Sequence, residues 1–109
     1  MTKLIKIIKS SNNKKKYDAF FEINGKNKKI SFGAEGYRDY TLINNKNSKF
    51  YLSNKKDRDK VRDQYQRRHK KDLLTDKNKL GLGAGALSYY LLWTTPKMNI
   101  SLYKKRFNL

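Results

Sequence analysis

Asn24-Gly25 stands between two runs rich in β-branched and aromatic residues, at 17–23 and 29–32. A two-residue type I′ turn needs positive φ at both central positions, which Asn and Gly adopt at least cost. The pair predicts an antiparallel hairpin and commits the first third of the chain to a sheet. Lys26-Asn27-Lys28 leaves a longer loop open as the alternative. Within the hairpin Tyr17, Ala19, Phe21 and Ile23 share one face, and Phe20 points to the other. Residues 4–8, spaced by Lys3, Lys6 and Lys9, read as an edge strand whose charges discourage further pairing. Gly33-Ala34-Glu35-Gly36 ends the sheet, and an aromatic segment follows at 37–41.

The rest reads as helix. Ser53 or Asn54 can cap a helix that begins with Asp57 and Asp59 in its first turns, beside the positive end of the dipole. Val61, Tyr65, His69 and Leu73 recur every four residues and form a stripe facing the core. Asp63 stands four before Arg67, the spacing of a helical surface pair. After glycines at 81, 83 and 85, a short apolar helix is predicted over 86–93, stopped by Pro96. A last helix over 99–107 places Ile100, Tyr103 and Phe107 on one side. Strands first and helices after mean α+β: a small N-terminal antiparallel hairpin or sheet followed by two or three helices. A chain of 109 residues suits one domain. Residues 16–109 are read as that domain and 1–15 as a variable basic extension or edge strand.

Lys and Arg number 27 against 9 Asp and Glu, a formal charge of +18. Repulsion on that scale calls for an anionic partner: nucleic acid, an anionic membrane face or an acidic protein. The last thirty residues hold no carboxylate at all. An AT-rich genome explains many lysines and asparagines, but not the scarcity of acids. Without cysteine there is no disulfide framework and no thiol nucleophile, and one histidine, His69, makes no two-His metal site. The apolar run at 87–93, broken by Ser88, falls far short of the roughly 20 residues of a membrane span. The first nine residues mix apolar side chains with lysines, unlike a secretory signal. The expectation is a soluble intracellular protein, neither secreted nor in a membrane.

Catalytic constellations are weak. His69 ends the core-facing stripe and is read as a packed, hydrogen-bonded residue, not a base. Asp57, Asp59 and Asp63 are crowded by cations, and capping and surface pairing explain them without magnesium. Asp18 and Glu22 share a strand face with no adjacent chemistry. Gly81-Leu82-Gly83-Ala84-Gly85-Ala86 fits the dinucleotide pattern formally, yet no strand precedes it and no acid follows. It is read as a flexible connection between close-packed helices. No enzyme, metal or cofactor is expected.

Arg58, Arg62, Arg67, Arg68, Lys70 and Lys71 are the predicted nucleic-acid contacts. From Arg62 to Lys71 a helix gathers five cations within about 15 Å, against one duplex phosphate charge per about 1.7 Å. Lys14, Lys15 and Lys16, with Lys104, Lys105 and Arg106, extend the footprint. The alternative is a solvated helical face. Nothing identifies base readers, so backbone binding with little sequence preference is expected, double-stranded DNA being the leading ligand. Two uses of the eight tyrosines stay open: Tyr37, Tyr40 or Tyr89 as platforms for single-stranded bases, or rings filling a small core.

Four phrases narrow the reading: residues 31–41 (SFGAEGYRDYT), 65–69 (YQRRH), 85–93 (GALSYYLLW) and 101–107 (SLYKKRF). In that order they resemble a family of small basic proteins of nucleocytoplasmic large DNA viruses, the giant viruses. The resemblance runs from about Lys16 to the end and departs at 73–82, where the family pattern has a shorter polar connection. It implies a viral origin and a virion or virus-factory setting, with no catalytic mechanism. The leading expectation is a non-enzymatic protein that condenses or organises a large viral DNA genome. The alternative is a virion adaptor, a minor capsid or core component, docking acidic proteins through Tyr90, Leu92 and Trp93. Oligomeric state is left open.

Overall fold

The computed structural model describes all residues from Met1 to Leu109. Three strands, β1 (Thr2–Lys9), β2 (Lys15–Ile23) and β3 (Lys26–Ala34), form an antiparallel sheet in the order β1-β2-β3. Five helical segments follow, so the α+β class predicted from segment order holds. They are α1 (Tyr40–Ile43), α2 (Lys55–His69), α3 (Asp76–Lys79), α4 (Ala84–Leu87) and α5 (Ile100–Phe107). A 3₁₀ turn at Lys70–Leu74 extends α2, and a π turn at Ser88–Leu92 extends α4. Only α2 and α5 exceed a single turn. The apolar helix predicted over 86–93 is thus an α turn running into a π turn.

The turn between β2 and β3 has two residues. Asn24 and Gly25 take φ of 52° and 81°, and Ile23 pairs directly with Lys26. Residues 26–28 therefore lie in β3 and do not lengthen the loop. Ala19 and Phe21 are buried on the inner face, with Tyr17 and Ile23 packed against the same core. Phe20 lies on the outer face beneath the Lys6 ammonium, 5.1 Å from its ring centroid. β1 is an edge strand whose Leu4 is buried in the core. Asp18, also on the outer face, accepts from the hydroxyls of Ser10 and Ser31 at 2.7 and 2.6 Å. These bonds, Ser31's first, hold its carboxyl below the ordinary range against the opposing effect of burial. Its role is to fasten the β1–β2 loop to β3.

Asn54 caps α2, its side-chain oxygen accepting from the Lys56 amide at 2.8 Å. Asn99 caps α5 in the same way through Leu102, at 3.0 Å. Tyr103 of α5 is buried, with Ile100 and Phe107 packed against the core. The glycine-rich segment is a packing device and not a flexible link. The Asn78 amide crosses it, donating to the Asp72 carbonyl at 2.8 Å and accepting from the Ala86 amide at 2.9 Å. A Cβ on Gly83 or Gly85 would collide with that amide.

Rings fill much of the interior. Tyr65 stacks on Trp93 at 4.1 Å and 6°, and Tyr103 meets Phe107 at 4.8 Å. Burial pushes the Tyr65 hydroxyl up to about 12 and raises that of Tyr103 further. Both phenols are favoured in the neutral form by folding, so their contribution is complete below pH 10 and is lost as pH rises through the raised value. The melting temperature should fall steeply above pH 10, and Tyr65→Phe should flatten part of that loss. Thermal melts across that range, with ultraviolet detection of phenolate, check both.

Candidate nucleic-acid interface

None of the fifteen residues of α2 is fully buried. Its inner side carries Val61 and Tyr65 against the core, flanked by half-buried Arg58, Asp59, Arg62 and Gln66, whose side-chain amide donates to the Trp93 carbonyl at 3.1 Å. His69 packs on Tyr65 in a tilted pair, centroids 4.2 Å apart at 31°, and meets the Asp72 carboxylate through Nδ1 at 2.9 Å. The hydrogen bond is the one expected of it, but its side chain is 42% exposed, and the core-facing stripe reaches only Val61 and Tyr65, without His69 or Leu73. No three His, Asp or Glu side chains converge where a metal ion could be held.

The twelve predicted contacts separate into two groups. Three have partners inside the protein. Lys16 Nζ donates to Asp39 Oδ2 and to the Tyr37 carbonyl, both at 2.6 Å, with the two side chains 10% and 2% exposed. Arg58 donates to the carbonyls of Leu52 and Ser53 at 2.7 and 3.1 Å. Arg62 lies 5.2 Å from the Tyr40 ring centroid and directs Nε to Asp63 at 3.1 Å. Asp63 is thereby turned toward Arg62, and the expected pair with Arg67 does not form. Asp59 binds Lys55 at 2.6 Å and the Tyr40 hydroxyl at 2.9 Å, contacts that hold its carboxyl below the ordinary range.

The second group makes no ion pair and no side-chain hydrogen bond within the protein. Arg67, Arg68, Lys70 and Lys71 are exposed at the end of α2 and make no ion pair. Lys104, Lys105 and Arg106 are exposed on the last turns of α5, and Lys14 and Lys15 at the start of β2. A run of rings joins the two helix ends. Tyr65 of α2 approaches Tyr89 at 6.4 Å, Tyr89 meets Tyr90 at 4.9 Å, and the Arg106 guanidinium lies 4.3 Å from the Tyr90 centroid. Arg68 and Arg106 act electrostatically on Tyr65 and Tyr89, the neighbouring rings of that run. These rings link the Arg68 end of α2 to Arg106 of α5, although 38 residues separate the two arginines in sequence. Helix C-termini carry partial negative charge, which accounts locally for cations at both.

A cleft of about 350 Å³ opens beside this region, between α2 and the loop at 34–39. Lys16, Arg38, Asp39, Tyr65, Arg68 and Trp93 are among its walls. Asp39 is its only carboxylate, and Lys16 neutralises it while Asp39 Oδ1 caps α1 through the Leu42 amide at 3.0 Å. Arg38 is not among the predicted contacts. Its neighbours in sequence, Tyr37 and Asp39, carry no basic pattern, and only the fold brings it beside Arg68. Of the three candidate platforms, Tyr40 is buried, Tyr89 packs in the ring run, and Tyr37 stands 71% exposed.

A family of unknown function (DUF5754) matches residues 5–52. The match takes in most of the sheet, the loop at 34–39 and α1, and ends before α2. No curated protein and no solved structure matches the chain.

Proposed function

We propose that the protein binds nucleic acid through the phosphate backbone, with little sequence preference, and that duplex DNA of a large viral genome is its natural polymer. The observation that carries this reading is a set of exposed cations without ion pairs on α2 and α5, with Arg106 joined to Tyr65 of α2 through a run of rings. Such a set releases counterions from a polyanion, and the released ions drive binding. The viral setting is carried by the resemblance of residues 31–41, 65–69, 85–93 and 101–107, and backbone binding without base readout suits a protein that condenses a genome. Of the three residues named for the adaptor reading, Leu92 and Trp93 lie in the core and Tyr90 is partly exposed, which favours the backbone reading.

Duplex affinity measured across a salt series tests the proposal. Replacing Arg67, Lys70 and Lys71 by glutamine should weaken binding and reduce the slope of log affinity against log salt by about 2–3, near 0.9 for each phosphate no longer neutralised. Removing the same number of charges at Lys3, Lys26 and Lys46 should cost less. Equal losses from both triplets would mean that net charge, and not this face, holds the DNA.

A further inference from the structure

We propose that the cleft between α2 and the loop at 34–39 is a site for one nucleotide of a single strand, its phosphate held by Arg38 and Arg68 and its base laid on Tyr37. This rests on the nucleic-acid reading above and adds a preference for unpaired strands or ends at one place on the molecule. The volume, about 350 Å³, lies within the roughly 300–1,000 Å³ of small-ligand pockets. Its charge is unbalanced in one direction. Arg38 and Arg68 make no ion pair, while the sole carboxylate, Asp39, is occupied by Lys16 and by the α1 amide. Two guanidinium groups without a carboxylate suit a phosphate, which each can grip with two parallel N–H donors.

The remaining walls suit a nucleoside. Tyr37 lines the cleft with a ring that stacks on no other ring of the protein and is largely in solvent. An aromatic side chain in that state offers a base a stacking surface of the kind single-strand binders use. The Gln64 amide and the Ser88 hydroxyl also line the cleft. Neither has a partner within the protein, so both are free to meet polar edges of a base. A paired base within a duplex keeps its faces stacked on its neighbours and cannot reach Tyr37 without leaving the helix, whereas a single strand presents them directly.

Trp93 is the single tryptophan and lines this cleft, so its emission reports on occupancy. The test titrates the full chain with an oligothymidylate of about 12 nucleotides and with the corresponding dA·dT duplex, following Trp93 emission and the anisotropy of labelled strands. The single strand should change Trp93 emission and the duplex should not. Tyr37→Ala should weaken single-strand binding about five- to a hundredfold with duplex binding unchanged, and Tyr37→Phe should restore it. Arg38→Gln should also weaken the single-strand complex selectively. Tyr37 is exposed, so its variants should melt with the parent. Equal loss on both polymers, or no loss on either, overturns the site. Duplex binding with a steep salt slope and no Trp93 response to the single strand overturns it too, while leaving the backbone reading intact. Failure to bind either polymer overturns both.

Discussion

Gly81→Ala should lower the melting temperature by on the order of 10–20 °C, because backbone strain and a collision with a packed ring act together. Gly81 sits at φ +76°, where a Cβ costs an L-residue roughly 1–2 kcal/mol. The added Cβ would also lie 2.5 Å from Cγ of Phe107, a ring packed against the core, and overpacking of that kind costs about 1–3 kcal/mol. The disturbance reaches further, since the buried Tyr103 hydroxyl donates to the Gly81 carbonyl at 2.8 Å. Gly36→Ala is the matched control. Its φ is +86°, yet no atom lies within 4 Å of the new Cβ, so only the backbone cost applies. Thermal denaturation of the two variants separates strain from collision. Equal shifts would show that Phe107 yields freely and that α5 is loosely seated.

Lys16→Met should destabilise the fold by about 3–5 kcal/mol, the range for removing one partner of a buried ion pair. The loss is an uncompensated charge more than a broken hydrogen bond, because Asp39 stays buried with its carboxylate facing the vacated site. The double variant Lys16→Met, Asp39→Asn should recover part of the loss. Recovery is incomplete because Asp39 also accepts from Leu42 at the start of α1 and from Thr41 Oγ1, and fixes the loop through them. Denaturant melts of the four proteins in a cycle give the coupling, expected at about 1–3 kcal/mol. A coupling near zero would mean that Lys16 is a surface cation after all.

Lys16 also shows where sequence reading reaches its limit. As one of three consecutive lysines it reads as solvent-facing charge, and its partner lies 23 residues away in a segment that carries only a local aromatic pattern. The same reason takes Arg58 and Arg62 off the free face: the carbonyls and the Tyr40 ring that hold them come from outside α2. The sheet, the two-residue turn, α2 and α5 are legible because each is announced by short-range chemistry, a turn pair or a cap followed by a periodic stripe. The single turns α1, α3 and α4 carry no such period over four residues. Asn78 is the sharpest instance. It carries no signal in the sequence, yet it ties Asp72 to Ala86 and fills the space that Gly83 and Gly85 leave open. The cleft combines both cases. Arg68 and Tyr37 stand out in the sequence for different reasons, but Arg38 joins them only through the course of the chain after β3.

Both outer strands of the sheet leave a row of backbone donors and acceptors without a neighbouring strand. Lysines at 3, 6 and 9 on one side, and at 26, 28 and 29 on the other, mean that a second copy approaching side by side must crowd like charges together. The same positive charge thus keeps one copy from adding its strands to the next, a protection that weakens as salt screens it.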